Sequence, residues 1–569
     1  MKQIYYVIQT LLRGRGSNII KVLSLGLALT MSILLFVRVV FEQSYDTCYR
    51  DPDRIYQLFS IFTINGEQGE PGELNLPPVA GAVLENFPQE VEAAVSVCKY
   101  MAFGPLYNGS VRFKDYAVMA DSLFFQTLGI EVLRGDPLHE LQQKDVVFLS
   151  DRLAQKMFGD EDPVGKVINY DKQLQLTVKG IYAALPENST MNPEAVISIV
   201  SAWSRDWAEY SWEGGDSFFQ YIRFRPGVKV DVEKFNARLE TVIHNYFPQD
   251  GKDNSSYTSI VKPLRDVYRS GDMVKRMNAI TLILGLAILF IAAMNYVLIS
   301  ISSLSYRAKA VGVHKCNGAS GGTVFSMFLL ETGIVILLSL ILMVLLLLNF
   351  REMIEETMEV RLTSLFVFGR IWVPLVVVLG LFIVGGVLPG RMFSRIPVSQ
   401  VFRHYTEGKK GWKRPLLFIQ FLGVAFICGL MCVIMAQYHY VLNKNTGYDA
   451  RSIATSDIYF DSDSERDAAR QFFCGLPYVE DVESASYPPC IGMSGMRIMD
   501  ESGQSLFSSR YCVETENYPK MMGMVIKEGR MARERNEAVV NETFAKTMRW
   551  GDDIVGRIVH QGNTSLGDL

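Results

Sequence analysis

Residues 277–306 read MNAITLILGLAILFIAAMNYVLISISSLSY, and residues 307–320 follow as RAKAVGVHKCNGAS. The first stretch holds no Asp, Glu, Lys or Arg across 30 residues. A helix rising about 1.5 Å per residue needs about 20 such residues to cross about 30 Å of hydrocarbon. The run therefore predicts a membrane helix over 277–303, and the second stretch reads as a basic link at its end. Four further apolar runs meet the same criterion, at 18–41, 323–348, 371–390 and 415–438. A buried core helix can imitate one such run, but hardly five.

The spans between these runs are ordinary polar protein. Of 569 residues, 49% are hydrophobic and 20% charged, and the formal net charge is −4. This excludes a disordered chain, a collagen-like chain and a small disulfide scaffold. It also leaves no electrostatic footprint for nucleic acid. The expected fold is an integral membrane α-helical bundle with large α+β extracytoplasmic domains.

Lys and Arg in short loops set the orientation. Lys2, Arg13, Arg15 and Lys21 stand at the N-terminus with no acid among them. Arg307, Lys309 and Lys315 fill the link 304–322, again without an acid. Arg391, Arg395, Arg403, Lys409, Lys410, Lys413 and Arg414 crowd the linker 391–414 against Glu407 alone. The loop 349–370 is of mixed charge. The N-terminus and the two basic links are therefore expected on the cytoplasmic side of an inner (plasma) membrane. Residues 42–275 and 439–569 are expected outside. Lys21 and Arg38 lie near the ends of the first span, where long side chains can snorkel. No small-residue cleavage pattern follows that span, so it reads as an uncleaved anchor. Ile4, Val7, Ile8, Leu11 and Leu12 share one helical face, which suggests an interfacial elbow helix over 1–17.

Within 42–275 the pattern alternates between strand and helix. Val146 to Leu149 reads as a strand, Ser150 as the cap of a helix reaching Phe158, and Gly159 as its end. Lys166 to Tyr170 and Gln173 to Ile181 read as a hairpin, Gln220 to Phe224 as a strand, and 231–246 as a helix capped by Asp231. The second exterior segment echoes the first. Asp121 to Gly129, then Gly135, resembles Glu516 to Gly523, then Gly529. Leu153 to Met157 resembles Phe544 to Met548, and Pro163 to Lys166 resembles Ile554 to Arg557. The chain reads as one membrane-plus-domain unit followed by the start of a second. On that logic roughly 220 further residues would complete the second unit.

No catalytic constellation emerges. There is no G-x-x-x-x-G-K-[ST] to cradle a nucleotide phosphate and no H-E-x-x-H for zinc, and the six histidines are scattered. Gly318-Ala-Ser320-Gly-Gly322 matches a nucleophile-elbow pattern, but it precedes a membrane helix rather than following a strand. Cys428 and Cys432 lie one turn apart in the fifth span, where packing is expected rather than metal binding. Of the exterior cysteines, Cys490 and Cys512 are one pairing that the sequence allows.

The link motif resembles the MacB/FtsX-like family of ABC transporter permeases. The resemblance is carried by Asn295-Tyr296, then Arg307, Lys309, Val311, Gly312, His314, Lys315, Gly318, Ala319 and Ser320, then Phe328 to Glu331. Ser44-Tyr45-Asp46 after the first span and Gly447-Tyr448-Asp449 after the fifth agree with it. Two positions depart: Ala310 stands where the family usually has Glu, and His314 where it usually has Arg. The resemblance implies a coupling helix that rests on a separate, dimeric ABC-type ATPase, which binds ATP and Mg. It implies no cofactor on this chain, and a periplasmic adaptor or outer-membrane component as a further partner. Arg307, Lys309, Val311, Gly312, His314, Lys315, Gly318 and Ala319 would be the contact or turn residues.

Glu331 is the one acid well inside a span. An ionised side chain at the bilayer centre costs about 2.5–3.5 kcal/mol. It is expected to pair with a basic residue of the link or of the N-terminal elbow, or else to snorkel to the interface. A receptor with ligand-binding exterior domains is the second functional reading. It accounts for the large exterior segments but not for the basic, glycine-containing link or the duplication.

Overall fold

The computed structural model describes the chain except residues 1–16, 65–66, 100–101, 103, 115, 172–173, 213–216, 248–254, 303–311, 314, 317, 395–412, 445–451, 457, 459–462, 487–493, 503–504, 535, 552 and 562–569. The elbow segment, except Ser17, and Cys490 therefore lie outside the described residues. The chain divides into two compact units. One comprises Met1–Asp53, Ala183–Glu194 and Pro263–Ile434, the other Arg54–Tyr182, Ala195–Lys262 and Met435–Leu569. This redraws the domain expected at 42–275. Its first residues, a short internal segment and its last residues belong with the apolar helices.

Five helices among the described residues are long and apolar enough to cross a membrane: Asn18–Gln43, Asp272–Ser300, Gly321–Asn349, Phe368–Arg391 and Leu417–Asn443. The first packs against both the second and the third. Small residues allow that approach: a Cβ on Gly26 would lie 2.6 Å from Leu342, and one on Gly285 2.8 Å from Phe36. Leu29, Ile33, Val37, Val335 and Val373 are buried between these helices. The fourth helix changes pitch at a π turn, Ile383–Val387, between Trp372–Phe382 and Leu388–Ser394. The fifth is exposed along its length. Cys428 and Cys432 are exposed with it, contrary to the packing expected of them.

The other unit contains a mixed sheet of 14 strands among the described residues. At its centre Ala195–Ser198 runs parallel to Ala117–Ala120 and antiparallel to Val146–Ser150, which runs parallel to Leu174–Tyr182. Ala117–Ala120, Val146–Ser150 and Ala195–Ser198 are short and buried at every position, as strands covered on both faces are, whereas the longer Leu174–Tyr182 alternates buried with more exposed positions. Local capping follows the side chains. Ser150 Oγ accepts the N–H of Leu153 at 2.9 Å and opens the helix Asp151–Phe158. Asp231 opens Val232–Tyr246 in the same way.

The glycines paired between the two exterior segments share backbone conformation. Gly129, Gly135, Gly159 and Gly165 take φ of +68°, +95°, +61° and +86°. Gly523, Gly529, Gly551 and Gly556, displaced by 391–394 positions, take +72°, +79°, +63° and +88°. Asn541 caps the helix Glu542–Thr547 by accepting the N–H of Phe544 at 2.8 Å, matching Ser150 and Leu153. Among the described residues, the second segment forms a sheet of three strands.

Two features of the large sheet give measurable expectations. Leu174–Tyr182 bulges between Val178 and Gly180. A Cβ on Gly180 would lie 2.1 Å from the Phe148 ring and 2.5 Å from the Arg134 carbonyl oxygen. Gly180→Ala is therefore expected to cost about 1–3 kcal/mol, read as a lowered melting temperature of the full chain in detergent. Asp121 accepts backbone N–H bonds from Ser96 and Leu123, each at 2.9 Å. Burial of its carboxyl nevertheless pushes its pKa up to about 6. A raised acid favours the protonated folded state, so its stabilisation is complete below the ordinary aspartate pKa. It is lost as pH rises through about 6. The melting temperature should fall between about pH 4 and 6, and Asp121→Asn should flatten that slope.

Candidate transmission site

The described part of the link between the second and third apolar helices begins with helical residues at 312–313 and ends on a cap. Gly312 is buried, whereas Gly318 is exposed and Ala319 half-buried. Gly318 takes φ +87°, and a Cβ there would meet nothing, so backbone conformation rather than space demands glycine. Ser320 Oγ accepts the N–H of Thr323 at 3.2 Å and starts the third helix. The serine of the nucleophile-elbow pattern is thus a helix cap. Lys315 Nζ donates to the Ser394 carbonyl oxygen at 2.9 Å. Ser394 is the last described residue of the fourth helix, where unpaired carbonyls favour a cation. The link is therefore tied to two helices, one by chain continuity and one by Lys315. Arg307, Lys309, Val311 and His314 lie outside the described residues.

Deeper in the same unit, Lys21 Nζ lies 3.8 Å from Glu331 Oε1, with side-chain exposures of 1% and 12%. The expected partner for Glu331 was a residue of the link or the elbow. The structure supplies Lys21 of the first apolar helix instead, and that lysine is buried rather than snorkelling. The reason is local. Lys21 Nζ also stands 5.6 Å from the centroid of the Tyr296 ring, whose face attracts a cation. Tyr296 Oη donates to Thr332 Oγ1 at 3.1 Å. Lys21, Tyr296, Ser300, Glu331, Thr332 and Gly385 line one small cavity. Asn295, half-buried beside Tyr296, is not among the residues lining it.

The π turn of the fourth helix closes over this cluster. A Cβ on Gly385 would lie 3.0 Å from the Tyr296 ring, and one on Gly386 3.3 Å from Leu329 and Thr332. Such single turns recur where helices change shape. The cluster offers a buried ion pair joining the first and third helices, set against an irregular turn of the fourth. It can hold or release helices, but it has no nucleophile and base in register for catalysis. Among the described residues there is no group of His, Cys, Asp and Glu placed to bind a metal. Lys21 was legible in principle, because a cation inside an apolar span needs a partner as much as an acid does.

Over 244 residues the chain is 26% identical to the macrolide export ATP-binding/permease protein MacB of Chromobacterium violaceum, covering 40% of this chain and 34% of that protein. The chain thus spans about a third of the length of the curated relative that it matches. No family model matches the sequence. Among solved structures, a domain described as that of a permease protein from Porphyromonas gingivalis is 21% identical. That likeness covers 38% of this chain and 91% of that one, with a TM-score of 0.33. The periplasmic region of MacB from Actinobacillus actinomycetemcomitans is 14% identical over the same shares, with a TM-score of 0.28. By this alignment, and by the Asn295-Tyr296 and 307–320 motif, the chain is similar in sequence to MacB/FtsX-like permeases.

Proposed function

We propose that this chain is the permease subunit of an ABC transporter complex. The five apolar helices cross the inner membrane with the N-terminus and the link 304–322 in the cytoplasm, and the sheet domains lie outside. A separate, dimeric ABC-type ATPase binds ATP and Mg and pushes on the link. The bundle passes that push to the exterior domains, which handle an efflux or envelope substrate, with an adaptor or outer-membrane component as a further partner.

The observation that carries this reading is the construction of the link. It is basic, it turns at Gly318, it ends on the Ser320 cap, and Lys315 binds it to the end of the fourth helix. A force applied there reaches the third and fourth helices together. These 569 residues hold no phosphate-cradling motif, which fits a motor supplied by a partner. The name of the relative joins ATP binding and permease in one protein; the proposed reading assigns ATP binding to a partner subunit. Affinity purification of the full chain from native membranes tests this. A stoichiometric Walker-motif ATPase is expected with it, and its absence under mild detergent contradicts the reading.

A further inference from the structure

Between the strands Leu174–Tyr182 and Ala195–Ser198 the chain leaves the large sheet. Residues Ala183–Glu194, which have no regular secondary structure, belong to the unit of apolar helices. The segment is held there by polar bonds that pack it against two places. The first is the chain just past the Gln43 end of the first helix. Asp46 is fully buried at φ +55°, a conformation that side-chain-bearing residues rarely adopt. Its N–H donates to the Asn188 carbonyl oxygen at 3.0 Å. Its carboxylate accepts the Thr190 N–H at 2.8 Å and the Thr190 hydroxyl at 2.9 and 3.0 Å. Asn188 Nδ2 donates back to the Ser44 carbonyl oxygen at 2.8 Å.

The second place is the loop between the third and fourth helices. Glu187 accepts the Arg361 N–H at 3.1 Å and pairs with the Arg361 guanidinium. Burial works against the charge of Glu187, yet the bonds from Arg361 hold its carboxyl below the usual range. The bonds to the buried Asp46 carboxylate are costly to leave unmade, so the segment cannot lift from the end of the first helix without exchanging them for water.

Chain continuity gives this attachment a direction. Both ends of the twelve-residue segment run into strands that flank Val146–Ser150 on its two sides. Displacing the segment therefore draws on two central strands at once, one on each side of Val146–Ser150. We propose that residues 183–194 form a clasp that carries movement of the first helix and of the 351–370 loop into the large sheet, with Asp46, Thr190 and Glu187 as its positioning residues. This rests on the coupling role proposed above and names the element by which the push leaves the membrane.

The test uses the full chain with its ATPase in lipid nanodiscs. Hydrogen exchange is compared without nucleotide and with ATP trapped by vanadate. In the wild type, nucleotide is expected to change exchange both in the link, 312–322, and in residues 174–198. Thr190→Val removes the hydroxyl at constant shape, and Asp46→Ala removes its acceptor. Both are expected to keep the response of the link and lose that of 174–198, whereas Thr190→Ser retains both. A purely stabilising loop would lower the melting temperature in Thr190→Val while leaving the nucleotide response of 174–198 in place, and that result overturns the clasp. Loss of the response in Thr190→Ser as complete as in Thr190→Val also overturns it, because the hydroxyl would then not be the determinant. A wild type without a response at the link contradicts the coupling role itself, and the clasp falls with it.

Discussion

Lys21→Met is expected to destabilise the bundle by about 3–5 kcal/mol, the usual cost of removing one partner of a buried ion pair. Methionine matches lysine in length, so the loss is of charge rather than of volume. The Glu331 carboxylate would keep its place beside the π turn without its cation at 3.8 Å. Without that partner it would draw in water, which loosens the contact between the first and third helices. The double variant Lys21→Met/Glu331→Leu should recover most of the stability, because two apolar groups can replace a buried pair at little cost. Function should separate the two variants from the wild type. If the pair is the two-state element of the bundle, the double variant is stable but no longer stimulates ATP hydrolysis by the partner. Thermal unfolding in detergent and ATPase assays of the reconstituted complex measure the two effects side by side. A stable double variant with wild-type stimulation would reduce the pair to a structural role.

The second large effect concerns the link. Charge reversal at Arg307, Lys309 and Lys315 together is expected to abolish capture of the ATPase. Gly318→Val is expected to weaken coupling while leaving capture measurable. The distinction follows from what each residue supplies. Three positive charges on a short segment give a docking surface, and reversing them replaces attraction with repulsion. Gly318 supplies a backbone conformation at φ +87° that a β-branched residue adopts only under strain. The strain would displace the Ser320 cap and with it the start of the third helix. Pull-down yields and ATPase rates of the purified complexes read these outcomes. Undiminished capture by the triple variant would show that the basic residues serve topology alone.

The elements with local causes were legible in the sequence. The Ser150 and Asp231 caps lie where the spacing of side chains puts them, as does the glycine that ends the helix Asp151–Phe158. The repeat was readable because positive φ selects glycine at the same steps in both segments. The five apolar runs were readable from length alone, although the second helix begins five residues earlier than its apolar core, at Asp272. What escaped the reading depends on distant partners. Lys21 and Glu331 are 310 positions apart, and nothing in the periodicity of either helix points to the other. Nothing in the sequence of residues 183–194 sets them apart from the rest of 42–275. Their attachment to Asp46 and Arg361 is a matter of hydrogen bonds across more than 140 residues, which leave no pattern in the segment itself.

The sidedness of the link decides whether force can enter there at all. Cys316 is an exposed native thiol within it, so it reports that side directly. A variant retaining Cys316 as its sole cysteine would be treated with a membrane-impermeant maleimide in intact spheroplasts and in inverted vesicles. Labelling is expected in the inverted vesicles alone, and bound ATPase should protect the thiol. Labelling of Cys316 in intact spheroplasts would put the link on the outer face, beyond the reach of any cytoplasmic motor.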